Sequence, residues 1–89
     1  MVTREIVINN ESGLESKSAA MFIQKASNFK SNIWIEKGDR KANAKSLLGL
    51  LSLGIGNGTK VTLITEGEDE EKAARELEEY AKRGMGEGV

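Results

Sequence analysis

The chain has 89 residues, enough for one domain, 1–89, and too few for a second core. It has neither cysteine nor histidine, which excludes disulfides, thiolate zinc sites, cysteine nucleophiles and the usual neutral-pH acid/base group. Net charge is −1 but unevenly spread: residues 1–65 sum to +4 and residues 66–89 to −5. A chain this short buries only roughly 60–65% of its unfolded surface, so a large internal pocket is not expected.

Thr3 to Asn9 alternates, with Ile6 and Ile8 on one face, and reads as a half-buried strand closed by Gly13. From Ser18 the period changes. Ala19, Phe22, Ile23 and Ala26 form one helical stripe, with Ser16 as the candidate N-cap. Asn32 to Glu36 is a second strand, and Gly38-Asp39 a tight hairpin into a short third strand around Lys41 to Ala44. Ser46 stands immediately before a short apolar helix, Leu47 to Leu53, that Gly54 closes. Gly56-Asn57-Gly58 is a turn, and Lys60 to Thr65 a fourth strand with Val61 and Leu63 inward. Asp69 is placed to cap a last helix whose first turn is acidic and whose last turn is basic, ending at Gly84. Residues 85–89 are expected to fray. The order βαββαβα, with short hairpins and one apolar face per helix, predicts an α+β open-faced sandwich. Its four-stranded antiparallel sheet carries three helices on one face.

Ser46 is the position with chemistry. At a helix start, unpaired N–H groups and the dipole favour an anion, and a phosphate would add about −1.5 to −2 charges. Arg40, Lys41, Lys45 and Lys17 are the cations placed to stand near it. Two turns cannot bury five leucines on one stripe. Leu50 and Leu53 are therefore expected in the core, and Leu47, Leu48 and Leu51 partly outside as a docking patch. By spacing alone, a serine before a helix is more often only a cap. On the opposite sheet face, Val7, Trp34 and Ile64 share parity. Ordinary cross-strand stabilisation is the preferred reading, and self-association as a homodimer the alternative.

The stretch Asn43-Ala44-Lys45-Ser46-Leu47-Leu48-Gly49-Leu50-Leu51-Ser52-Leu53 resembles the regulatory serine segment of the HPr phosphocarrier family. Gly58 to Ile64 followed by Glu66-Gly67-Glu68-Asp69-Glu70 is similar as well. The resemblance spans nearly the whole chain and implies the same sandwich. The family's phosphocarrier motif matches Gly13-Leu14-Glu15-Ser16-Lys17-Ser18-Ala19, with departures. Glu15 stands in place of the phosphate-accepting histidine, Lys17 in place of an arginine and Ser18 in place of a proline. Glu15 is thus a degenerate phosphocarrier position: a carboxylate cannot form the phosphoramidate, and Lys17 lacks the bidentate fork. As a plain reading, Glu15 is a first-turn helix acid.

The resemblance is nearest to the Crh-like regulatory subset, which lacks the histidine and keeps the serine. It implies phosphorylation of Ser46 by HPr kinase/phosphorylase, then binding to a LacI-type catabolite control repressor as corepressor. Lys17, Ala20, Lys45, Leu47, Leu48 and Leu51 form the partner-binding surface it implies. No catalytic residue, cofactor, metal, direct nucleic-acid contact or membrane segment is expected, and the location expected is the cytoplasm. Two alternatives stand beside this reading: a constitutive interaction module that needs no phosphate, and a phosphoryl carrier acting through Glu15, whose acyl phosphate would hydrolyse readily.

Overall fold

A computed structural model describes residues 1–11 and 13–84. The expected ends at 85–89 lie outside the described residues. The elements run β1 (Val2–Val7), α1 (Ser16–Ala26), β2 (Asn32–Lys37), β3 (Arg40–Asn43), α2 (Leu47–Ser52), β4 (Lys60–Glu66) and α3 (Glu70–Lys82). The sheet order is β1-β4-β2-β3, antiparallel throughout. β1 and β4 pair from Val2↔Thr65 to Val7↔Lys60, and β2 and β4 from Asn32↔Glu66 to Glu36↔Thr62. The fold is thus the α+β open-faced sandwich that the alternating strands and striped helices predict.

Period-2 alternation decides which face is covered. Ile6, Ile33, Ile35, Val61 and Leu63 point to the helices and are buried. Leu14, Ala19, Phe22, Leu50, Leu53, Leu77 and Ala81 meet them from above. α3 lies on β1 and β4, α2 lies on β3 and α1, and α1 touches both other helices. The rings of Phe22 and Tyr80 join α1 to α3, with centroids 6.3 Å apart at 46°.

On the uncovered face the expected apolar trio is a pair. Trp34 and Ile64 are direct cross-strand partners, and Ile64 is 8% exposed. Val7 sits opposite Lys60, at the other end of β4 from Ile64, and is 47% exposed. Parity puts residues on one face but does not place them along the strand; register does. Lys41 completes the pair by setting Nζ 5.0 Å from the centre of the Trp34 ring.

Two helix starts differ from expectation. Ser16 is the first helical residue of α1, and Glu15 is the N-cap, extended at φ −118°, ψ −174°. Ser18, one turn in, closes the start from the other side. Its Oγ accepts from the Glu15 N–H at 3.0 Å and donates to the Gly13 carbonyl at 2.7 Å. Asp69 is the N-cap of α3 as predicted, but its side chain makes no capping bond to that helix. Its carboxylate accepts instead from the Lys30 and Ser31 N–H groups, both at 2.9 Å, and from the Ser31 hydroxyl at 2.5 Å. The start of α3 is thereby fastened to the loop between α1 and β2.

The Ser31 hydroxyl, with the Lys30 and Ser31 amides, holds the Asp69 carboxyl down at about 2, below its ordinary 3.8. A depressed carboxyl stabilises the fold fully above its unfolded value, and that contribution is lost as pH falls through the folded value. Thermal unfolding followed against pH should show the melting temperature dropping between about 4 and 2. Asp69→Asn should lower it at neutral pH and flatten that acid slope. An unchanged slope in the variant would assign the acid sensitivity to other carboxylates.

Candidate functional site

α2 has only six residues, well short of the length at which a helix holds by itself. Its surroundings hold it at both ends. Ser46, extended at φ −115°, ψ 118°, accepts the Gly49 N–H on Oγ at 3.2 Å. Its N–H donates to the Asn43 carbonyl at 3.0 Å, and its own carbonyl accepts the Leu50 N–H at 3.0 Å. At the other end the Lys37 ammonium donates to the carbonyls of Leu53 and Gly54, at 3.2 and 2.9 Å. A cation on the last carbonyls complements the helix dipole.

Gly49 sets how closely α2 approaches the sheet. A Cβ there would stand 3.2 Å from Ser46 Oγ and 3.3 Å from Ala42 Cβ, so its absence leaves room for the hydroxyl. Leu50 and Leu53 are buried at 0 and 3%, and Leu51 is half-buried against the core. Leu47 and Leu48 are 39 and 81% exposed. Ser46 is therefore a partly open hydroxyl at a helix start, followed by two leucines in solvent.

The cations divide differently from the sequence expectation. Lys45 does not reach toward Ser46. Its ammonium donates to the carbonyls of Phe29 and Ser31 at 2.8 and 3.0 Å, in a partly buried site. Lys41 lies over Trp34, on the face away from the helices. Arg40 is exposed at the hairpin, and Lys17 and Ala20 are exposed on α1. An isolated lysine in a sequence cannot show that two main-chain carbonyls will converge on its ammonium, because the loop that supplies them is remote in the chain.

The segment around Glu15 adjoins the chain leaving α2. Leu14 N–H donates to the Ile55 carbonyl at 2.8 Å. Gly13 packs so closely that a Cβ would overlap the Ile55 carbonyl oxygen and stand 2.6 Å from Gly56 Cα. Glu15, Ser16 and Lys17 are exposed there. Ser18, marked by the resemblance only as standing in place of a proline, closes the start of α1, a role signalled by its place three after the N-cap. Among the described residues no cluster of carboxylates is arranged to hold a metal ion, and no helix is long and apolar enough to cross a membrane.

The family of the PTS HPr component, described by its phosphorylation site, matches residues 2–83. The chain belongs to the HPr family. It is 48% identical to the HPr-like protein Crh of Halalkalibacterium halodurans over 77 residues, covering 86% of this chain and 92% of that one. With Crh of Bacillus subtilis it shares 43% over 82 residues, covering 92% and 96%. Among solved structures, HPr-C-His of Thermoanaerobacter tengcongensis superposes with a TM-score of 0.94 at 44% identity, covering both chains fully. B. subtilis Crh, solved as a domain-swapped intertwined dimer, superposes at 0.76 with 42% identity, covering 94% and 97%. These HPr-family relatives are named as phosphocarrier or HPr-like proteins, not as enzymes. On this HPr fold, Glu15 sits at the start of α1 and Ser46 at the start of α2.

The two functional candidates and the Lys45 anchor separate in stability measurements. Ser46→Ala should cost about 1 kcal/mol through the lost cap. Lys45→Met should cost roughly 1.5–3 kcal/mol, since two carbonyls lose a charged donor. Lys17→Met should stay within about 0.5 kcal/mol. Urea unfolding of the three variants checks this. Equal values for Lys45→Met and Lys17→Met would mean that the Phe29 and Ser31 carbonyls gain nothing from the ammonium.

Proposed function

We propose that this chain is a non-catalytic HPr-like regulator of carbon catabolite control, working in the cytoplasm as one domain over 1–89. HPr kinase/phosphorylase phosphorylates Ser46, and a LacI-type catabolite control repressor then binds the modified face with the chain as corepressor. The observation that carries this reading is the pairing of a partly open, helix-capping hydroxyl with solvent-facing Leu47 and Leu48. The Crh relatives support it: one of the B. subtilis structures describes that protein as catabolite repression HPr.

In the modification, Ser46 Oγ attacks the γ-phosphorus of ATP. The new O–P bond forms as ADP leaves, and the hydroxyl proton passes to a base on the kinase. The product dianion sits at the start of α2, where the Gly49 N–H and the helix dipole favour it by roughly 0.3–1 kcal/mol. Lys45 is engaged elsewhere, so the phosphate stays available to a partner's arginine. Beside it, Leu48 offers an apolar anchor. Lys17 and Ala20, exposed on the neighbouring helix, extend the same partner-binding surface. Histidine phosphotransfer is excluded from the proposal because the chain contains no histidine. Glu15 acts as the N-cap of α1 rather than as a carrier.

A second reading rests on Leu48 being 81% exposed with Ser46 unmodified: a constitutive module would dock through it with no phosphate. Self-association, as in the intertwined Crh dimer, is compatible with either.

Intact-mass spectrometry after incubation with the kinase and ATP should show one added phosphate that Ser46→Ala abolishes. The phosphorylated chain should then bind the repressor, and Leu48→Asp should weaken binding at least about tenfold while leaving the fold intact. Repressor binding by unmodified Ser46→Ala equal to that of the phosphorylated chain would select the constitutive module.

A further inference from the structure

The turn between α2 and β4 carries a reactive dipeptide that neither the docking face nor the core uses. Of the asparagines at 9, 10, 28, 32, 43 and 57, only Asn57 precedes glycine. An asparagine side chain followed by a glycine amide is the arrangement most open to cyclisation, since no Cβ hinders the nitrogen's approach to Cγ. Asn57 and Gly58 are both exposed, and Gly58 has open space around the position a Cβ would take. Its φ of 83° belongs to the left-handed region, so the position keeps glycine for conformational reasons that have nothing to do with this chemistry.

The same amide is restrained in the fold. Gly58 N–H donates to the Ile8 carbonyl at 2.8 Å, and Ile8 N–H donates to the Thr59 carbonyl at 2.9 Å. The turn is closed across its base, with Thr59 N–H on the Gly56 carbonyl and Gly56 N–H on Thr59 Oγ1, each at 3.2 Å. To attack Cγ of Asn57, the Gly58 nitrogen must lose its proton and turn away from Ile8. The reaction therefore needs a local opening in which the Ile8–Gly58 bond is broken.

We propose that Asn57 is a site of self-modification by deamidation, gated by the hydrogen bond from Gly58 to the chain just after β1. Solvent base takes the Gly58 amide proton, and the nitrogen forms a bond to Asn57 Cγ. The Cγ–Nδ2 bond breaks and ammonia leaves, giving a succinimide. Water then opens the ring at either carbonyl, to aspartate or isoaspartate. No oxidant or cofactor is involved. The product carries one more negative charge, taking the formal net from −1 to −2.

The consequence reaches the functional side of the molecule. Isoaspartate inserts an extra methylene into the main chain of the turn next to Gly56, against which Gly13 packs, and close to Ile55, whose carbonyl holds Leu14. The change is thus transmitted to the segment that places Glu15 at the start of α1.

The test is to age the full chain in mildly alkaline buffer, folded and in denaturant, and to follow charge variants and site-resolved mass. Isoaspartate is confirmed with isoaspartyl methyltransferase. In the folded chain conversion should be confined to Asn57, should run at least about tenfold slower than in denaturant, and should vanish in Asn57→Gln. Amide exchange at Leu14 should rise in the isoaspartate form. Equal rates folded and unfolded would overturn the gating by Ile8. A folded chain that never converts at Asn57, while the unfolded chain does, would remove the site from the native protein.

Discussion

The backbone from Phe29 to Ser31 is gripped from two directions by groups of opposite charge. From one side the Lys45 ammonium takes the carbonyls of Phe29 and Ser31. From the other, the Asp69 carboxylate takes the N–H groups of Lys30 and Ser31 and the Ser31 hydroxyl. Ser31 is 1% exposed, and Gly67 lies against it so closely that a Cβ would stand 2.8 Å from Ser31 Cα. A turn of main chain has donors and acceptors pointing both ways, and here a separate element satisfies each set. The segment leading into α2 and the start of α3 are both located by this one loop.

That arrangement explains how a six-residue helix can present apolar side chains to solvent without unravelling. α2 and its C-cap put Leu50 and Leu53 into the core, and its carbonyl end rests on Lys37. With the preceding residue anchored through Lys45, Ser46 is held in the extended conformation that lets its hydroxyl cap Gly49. The parts most exposed, Leu47 and Leu48, are carried on a preformed element. On the proposed function, a partner meets there a surface that needs little ordering, which lowers the entropic cost of docking. The start of α1 is built by a different device. Ser18 fixes Glu15 and Gly13 from within the helix, while Ile55 holds Leu14 from outside.

The open sheet face shows the same economy of means. Trp34 covers Ile64, and Lys41 covers Trp34, so the only exposed apolar residue among the expected three is Val7 at the far end. Cross-strand pairing accounts for the tryptophan without invoking a partner, and the two edge strands, β1 and β3, carry charged residues such as Arg4, Glu5, Arg40 and Lys41 along their length.

By itself the sequence determined the elements, their order and their inward faces, because strand and helix periodicities are local properties of which residues are apolar. It also singled out Ser46 and the excess of leucines after it, since these are matters of residue type and spacing, while only the family resemblance marked Glu15 as standing where a histidine is expected. What it could not contain was the long-range placement of charged and polar ends. Asp69 read as a cap for the helix it precedes, yet its carboxylate serves a loop thirty-eight residues away. Lys45 read as a neighbour for a phosphate, yet its ammonium is taken by carbonyls from before β2. Ser16 read as the cap of α1, and the helix begins one residue earlier because Ser18 reaches back to Glu15. Local pattern records which atoms must be buried. Only the packed sheet and helices decide which remote backbone groups arrive within hydrogen-bonding distance of a given charge.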